Sequence, residues 1–378
     1  MKSRLHEKII CIAFCMFLFC MLALFVFLPK ETFSDTEKRY LEEPPSLSWD
    51  ELISGKFASS AESYAADHIA GRDFFVGLNA YYDYYSNRQV TKDIYVSSSG
   101  RLVERPVVFD TDAIDKNMRY INQFSEQIGQ PVEFMIVPSA GYIYSDELQG
   151  LYDPYLDDEI IQYAYAQTSA GIQTIDAAGA FLQDAGKQDL YYHTDHHWTS
   201  SGAYAAYSAY MRSIGREPLD KDAFDIETHD GFYGTTYSRS ALWLDEPDAI
   251  ELYRTDTHFT VSNADNDEVN DGVFYPNRLS DPDMYTAFLD GNHSLVRIQN
   301  HDENAQGKLL IIRDSYANCF GSIVANDYEE VVLIDLRYYK QGVAELCAAE
   351  SFDQILIQYC IGNFMTDANF VWLQRSDA

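Results

Sequence analysis

Apolar positions divide this chain into three regimes. Residues 9–28 are twenty consecutive residues without a charge, the length at which a helix crosses the roughly 30 Å hydrocarbon core of a bilayer. Residues 31–110 are polar and partly helical: Glu43-Pro44-Pro45 breaks the chain, and helical spacing resumes from Asp50 through the tyrosine-rich stretch at 80–85. From 111 onward, helices alternate with short apolar strands. The spacing predicts a helix over 111–128, a strand over 132–137, a helix near 157–168, a strand over 172–175, a helix from 177 and a short strand over 190–192. A further helix is predicted over 200–213, with Ala203, Tyr207, Tyr210 and Met211 on one stripe and Thr199 placed to cap it. Residues 216–305, rich in Asp, Asn and Thr with short runs such as 250–253, break the rhythm and read as an inserted β-rich region. It then returns with a strand at Leu309-Leu310-Ile311-Ile312, a helix over 316–326, a strand over 331–336, a helix over 341–349 and a strand over 355–359.

Apolar strands alternating with helices imply an α/β domain whose parallel sheet is covered by helices on both faces. Ligands of such sheets bind at the carboxyl ends of the strands. The expected organisation is a cytoplasmic tail and transmembrane anchor over 1–30, a lead-in or stalk over 31–110, and a catalytic domain over 111–378 with its insertion at about 216–305. No internal repeat and no Gly-rich phosphate loop is present, and no cofactor is expected.

Charge sharpens the picture. The 378 residues hold 27 Lys+Arg against 59 Asp+Glu, a net charge of −32, which excludes nucleic acid and other polyanions as natural partners. Residues 1–30 are +3 and the remainder −35, so residues 1–8 are expected in the cytoplasm and everything after Lys30 outside it. A cleaved signal peptide would have a shorter apolar region ending in a small-residue site. Here the run ends in Phe-Val-Phe-Leu-Pro-Lys, and a retained single-pass anchor in the cell membrane is the expectation. Cys11, Cys15 and Cys20 lie in the apolar run; Cys319, Cys347 and Cys360 are widely spaced with no C-x-x-C, which encodes neither a disulfide framework nor a zinc knuckle. The 29 tyrosines are core residues first, with a sugar-binding groove as the alternative use.

Two inferred strand ends carry unusual residues. After 190–192 comes His193-Thr194-Asp195-His196-His197-Trp198-Thr199; after 309–312 comes Arg313-Asp314-Ser315-Tyr316, a strand running into a helix start. A serine nucleophile needs an imidazole to take its proton and a carboxylate to orient that imidazole. In an extended loop residues i and i+2 share a side, so Asp195 and His197 can face one cleft while His196 points away. A serine at a strand-to-helix turn is exposed above the sheet, near backbone N–H groups that can hold an oxyanion. Ser139, after another inferred strand, is the alternative nucleophile. A metal site is the competing use of Asp195, His193, His196 and His197, although adjacent ligands on one loop rarely close a tetrahedral site; no metal is expected.

The string Thr194-Asp195-His196-His197-Trp198-Thr199-Ser200-Ser201-Gly202 resembles the signature of the DHHW family, relatives of alginate O-acetyltransferases of the AlgX and AlgJ type within the SGNH hydrolase-like superfamily. Glu37-Lys38-Arg39-Tyr40-Leu41 with Pro44, Gly55-Lys56-Phe57, Asp67 with Gly71-Arg72-Asp73, Val137-Pro138, the segment from Phe288 to His293, that from Arg313 to Asn318 and that from Asp335 to Tyr339 are similar to the family's pattern. The resemblance implies a flavodoxin-like SGNH sheet, with the Asp/His block before the serine rather than after it. It further implies Ser315 as nucleophile, His197 as general base and Asp195 as its orienting carboxylate, with Gly291 and Asn292 completing the oxyanion hole. Arg313 and Tyr316 are candidate substrate-binding residues beside them, and an ion pair with Asp314 or another acid is the alternative for Arg313. The implied activity is O-acyl transfer, as acetyl, onto a cell-surface or secreted polysaccharide. An acetylesterase with the same triad and a non-catalytic polysaccharide-binding subunit are the alternatives. A transferase outside the membrane implies a membrane-bound O-acyltransferase as acyl-donor partner.

Overall fold

The computed structural model describes residues 2–34, 39–88, 90–150, 152–184, 186, 188–243, 246–266 and 268–374. Glu37 and Lys38 of the amino-terminal pattern lie outside them. The chain divides into two compact units: residues Met1–Lys92 with Ser238–Leu244, and Asp93–Tyr237 with Asp245–Ala378.

The first unit opens with the helix Lys2–Phe27, and its residues 6–27 are long and apolar enough to cross a membrane. Lys30 follows that helix and donates from Nζ to Phe25 O at 2.5 Å. Three short helices come next, Trp49–Ser54, Lys56–His68 and Arg72–Asp83. Ser48 caps the first through Glu51 N.

The second unit is built on an eight-stranded sheet. In chain order its strands are β1 (Val132–Val137), β2 (Ile172–Thr174), β3 (Phe259–Asn263), β4 (Val269–Asp271), β5 (Leu295–Asn300), β6 (Lys308–Arg313), β7 (Glu330–Asp335) and β8 (Gln354–Cys360). Their spatial order is β4-β3-β5-β7-β6-β8-β1-β2. The five strands from β7 to β2 are parallel, whereas β5, β3 and β4 add to the β7 edge antiparallel. The fold class is therefore α/β as expected, with a mixed, parallel-rich sheet. Side chains alternate between faces along each strand. Met135, Leu309, Ile311, Leu333 and Leu356 pack on one face with helices Ala177–Asp184, Ser200–Ser213 and Ala317–Val324. Phe134, Leu310, Ile312, Ile334 and Ile357 pack on the other with Thr111–Ile128, Asp157–Tyr165 and Val343–Ala349.

Three expectations need revision. Residues 190–192 are not a strand of the sheet: Tyr191 makes a single antiparallel bridge with Trp198, so their apolar character reflects burial of a loop base. Part of the region 216–305 is not a separate insertion, because its 259–263, 269–271 and 295–300 segments extend the main sheet; Asp225–Phe232 and Asp248–Arg254 form their own hairpin. Residues 93–110, expected with the lead-in, belong to the second unit, where Ile94, Leu102 and Val103 are buried.

Candidate active site

The loop 193–199 is a tight hairpin pinned from several sides. Thr199 N donates to Leu190 O at 3.0 Å and Tyr192 N to His197 O at 3.2 Å. Arg101, buried over the Tyr144 ring, donates to Tyr191 O, Tyr192 O and Asp189 Oδ1. Asp248 accepts from the amides of His193 and Thr194 at 2.9 and 2.7 Å and from Thr194 Oγ1 at 2.5 Å. Beneath the loop, the wholly buried Trp198 donates from Nε1 to Tyr316 O at 3.0 Å, which ties the histidine loop to the serine turn.

Ser315 lies two residues beyond β6, before helix Ala317–Val324. Asp314 shapes this turn: Oδ1 accepts from Tyr316 N at 3.1 Å, and Oδ2 from Cys360 N at 2.8 Å and Asn363 Nδ2 at 3.0 Å. The carboxyl end of β8 is thereby fixed to the turn that presents the hydroxyl.

These two segments, over a hundred residues apart, meet through side chains. His197 Nε2 lies 2.8 Å from Ser315 Oγ, and His197 Nδ1 lies 2.6 Å from Asp195 Oδ1. Asp195 Oδ1 also accepts from the His197 amide at 2.9 Å, and Oδ2 accepts from Thr235 N at 2.6 Å and Thr235 Oγ1 at 2.9 Å. Burial alone would raise the Asp195 carboxyl; the neighbouring imidazoles of His196 and His197 and these hydrogen bonds hold it well below the usual carboxylate range instead. An ionised Asp195 accepts from Nδ1–H, which leaves the Nε2 lone pair for the serine proton. Tyr285 stacks on the His197 ring at 3.9 Å between centroids and 9° between planes, covering one face of the base. Gly234 admits Asp195 to this position, since a Cβ there would come within 2.1 Å of Asp195 Cβ.

The other expected residues fall as follows. His196 stands beside the relay: its Nδ1 lies 2.6 Å from Thr235 Oγ1 and 3.6 Å from Asp195 Oδ1, and its ring packs on that of His197 with centroids 3.9 Å apart; burial and the neighbouring His197 imidazole lower its pKa from the ordinary 6.5. His193 lies 3.6 Å from Asp189. Asn292 Oδ1 accepts from Arg313 Nη1 at 2.8 Å and Asn318 Nδ2 at 3.2 Å. The Gly291 amide, expected as an oxyanion donor, instead donates to Phe288 O at 3.1 Å, because three successive left-handed residues, Leu289, Asp290 and Gly291, curl the chain back there. Arg313, expected to bind substrate or else to pair with Asp314 or another acid, is 0% exposed and faces such an acid, Asp335, at 3.6 Å; burial removes it from contact with substrate. Tyr316 is buried and donates to His196 O. Ser139 caps helix Ala140–Ile143 by accepting from Tyr142 N.

Asp195, His196 and His197 present ligand atoms all within 4.8 Å of one another, a possible metal grouping. Both His197 nitrogens are already engaged, one by Asp195 and one by Ser315, so a metal would compete with the serine for the same imidazole. Thr235, Asp248 and Tyr285 escaped the sequence reading because each is distant in the chain and carries no local pattern.

A parallel-rich α/β sheet bearing a hydrogen-bonded Asp–His–Ser set beyond its strand ends defines the class of this protein. The chain belongs to the DHHW family, whose model, described as DHHW protein, matches residues 131–334 and thus the whole of this set. Solved structures share the fold. A DHHW family protein from Eubacterium siraeum DSM 15702 aligns at a TM-score of 0.64 and 21% identity, covering 75% of this chain and 95% of that one. Bacillus cereus PatB1, solved with a sulfonyl adduct, aligns at 0.63 and 19%, covering 74% and 98%. The O-acetyltransferase domain of Pseudomonas putida AlgJ aligns at 0.47 and 14%, covering 72% and 92%. No curated protein matches the chain.

Proposed function

We propose that this protein is a membrane-anchored, extracytoplasmic O-acetyltransferase that modifies a polysaccharide through an acyl-serine intermediate. The observation that carries the reading is the continuous relay from Asp195 through His197 to Ser315, with contacts of 2.6 and 2.8 Å. With its ring proton on Nδ1, toward Asp195, His197 presents Nε2 as the acceptor that serine activation requires. Membership of the DHHW family and the fold shared with PatB1 agree with it.

Ser315 Oγ attacks the acetyl carbonyl while His197 Nε2 takes its proton, and Asp195 steadies the imidazolium. Asn292 Nδ2 and the Ser315 amide are the donors assigned to the oxyanion. Collapse expels the donor's alcohol, which receives the proton from His197. A sugar hydroxyl then gives its proton to His197 and attacks the acetyl-serine, and Ser315 Oγ leaves and takes that proton back from His197 as the new ester forms. Water in place of the sugar turns the same steps into hydrolysis. The acyl donor must reach this side of the bilayer, and a membrane-bound O-acyltransferase is the partner we assign to supply it.

The test is to incubate the full chain in detergent with a chromogenic acetyl ester, with and without oligosaccharide acceptors, and weigh the acceptors by mass spectrometry. The reading expects a 42 Da gain on the acceptor, an acetyl replacing a hydrogen. Acetate release with no acceptor gain would make the protein an esterase. No turnover together with retained oligosaccharide binding would make it a binding subunit.

A further inference from the structure

Arg313 is the least economical side chain in the second unit. It is 0% exposed, and a buried cation normally finds a carboxylate partner of good geometry. The nearest is Asp335, 3.6 Å from Nη1, but both Asp335 oxygens are bonded by Arg337, at 2.6 Å from Nη2 and 2.9 and 3.2 Å from Nε. Arg313 Nε and Nη2 have no acceptor among the described residues. For stability alone, an apolar side chain of similar volume would serve as well or better.

What Arg313 does touch flanks the serine. Nη1 donates to Asn292 Oδ1 at 2.8 Å and to Asp314 O at 3.4 Å. Asn318 Nδ2 fills the second acceptor position of Asn292 Oδ1 at 3.2 Å. With both lone pairs of that oxygen taken, the amide cannot flip without losing two hydrogen bonds, and its Nδ2 is held on the opposite side. The backbone reinforces this: Leu289, Asp290 and Gly291 hold φ of 55°, 62° and 82° immediately before Asn292, and Arg278 Nε clamps Asp290 at 2.6 Å. Two non-glycine residues in the left-handed region are backbone strain of the kind found where a side chain must be aimed.

We propose that Arg313 is a positioning residue for the oxyanion donor: its buried charge fixes the Asn292 amide and, by withdrawing electron density through Oδ1, strengthens the Nδ2–H as a donor to the acyl oxyanion. The proposal rests on the acyl-serine reading above. Charge-assisted hydrogen bonds are stronger than neutral ones, and a polarised amide carries part of that gain to its other end. The effect belongs to the transition state, where the carbonyl oxygen gains charge, so it acts on kcat and leaves KM nearly unchanged.

The test is a double-mutant cycle on the full chain in detergent, using p-nitrophenyl acetate and reading kcat and KM for wild type, Arg313→Gln, Asn292→Ala and the double variant, with circular dichroism to establish folding. Loss of one oxyanion donor costs on the order of a hundredfold or more in kcat. Arg313→Gln is expected to lose about tenfold to a hundredfold in kcat, with KM within about twofold, and to cost nothing further in the Asn292→Ala background. Wild-type kcat in Arg313→Gln, or losses that multiply in the double variant, would overturn the proposal while leaving the acyl-serine reading intact. Failure of that reading shows instead in the wild type, which would release no p-nitrophenol, and it overturns this proposal too. If Arg313→Gln does not fold, Arg313→Lys carries the cycle: it keeps the charge and should lose less kcat, and a loss undiminished in the Asn292→Ala background would overturn the proposal.

Discussion

Glu133 should make this fold lose stability as the pH rises, and the effect is large enough to measure. Glu133 is the second residue of β1, in register with Leu356 of β8 and Gln173 of β2, and is 5% exposed. Among the described residues no hydrogen-bond partner reaches Oε2. Burial pushes the carboxyl from 4.5 up to about 7, against the weaker opposing pull of its own amide and that of Ile355. Between those two pH values the folded chain keeps a proton that the unfolded chain has released, so stability falls as pH rises from 4.5 to about 7 and is constant in this group above. The interval corresponds to about 3 kcal/mol. Glu133→Gln is neutral at every pH and nearly the same shape. It should therefore stabilise the protein by about 3 kcal/mol at pH 8 and by almost nothing at pH 4. Urea unfolding of the detergent-solubilised full chain at both pH values, wild type against variant, reads the difference. Equal effects of the substitution at the two pH values, or destabilisation at pH 8, would refute the reasoning.

Three further substitutions probe the site. His197→Ala should cut kcat by about a thousandfold, whereas His196→Ala, whose ring packs on that of His197 and whose Nδ1 meets Thr235 while the bond to Ser315 Oγ belongs to His197, should cost far less; equal losses in an esterase assay would point to a metal or to a misassigned base. Gly234→Ala would place a methyl 2.1 Å from Asp195 Cβ, so the carboxylate must move; displacements of about 1 Å cost on the order of a hundredfold in rate, and unchanged kcat in a folded variant would show that Asp195 does not depend on this approach.

Much of the second unit was legible because burial on both faces leaves uninterrupted apolar runs. The helices 111–128 and 200–213 and the strand 132–137 have the bounds their periodicity predicts. The i, i+2 pairing of Asp195 with His197 is present, but His196 is not turned away: its ring packs on that of His197 and its Nδ1 lies 3.6 Å from Asp195, because the loop is a tight turn rather than an extended strand. What failed depends on long-range pairing. Tyr191 and Tyr192 are as apolar and as buried as any strand residue, but no local feature says that their neighbour is Trp198 rather than a sheet strand. The antiparallel edge joins Phe259 to Asn300 and Leu295 to Ile334, a register set by the sheet and invisible in a polar-rich stretch. Gly291 fitted a motif, yet the direction of its N–H is decided by a left-handed run that begins at Leu289, a residue with no intrinsic preference for it. For Arg313 the sequence left two uses open, substrate binding and an ion pair with a local acid, and only its burial beside Asp335, which is distant in the chain, selects the second.

An acyl-transferase of this kind must become acylated at Ser315. The full chain, its Ser315→Ala variant and its His197→Ala variant are each exposed to a fluorophosphonate and, separately, to an activated acetyl ester, then digested and mapped by mass spectrometry. The wild type should carry the label on the peptide that contains Ser315, Ser315→Ala should fold and carry none, and His197→Ala should label only marginally, because an unactivated serine does not react at neutral pH. Label on Ser139 or any other serine, or no label on any serine while acetyl transfer persists, would contradict the acyl-serine mechanism.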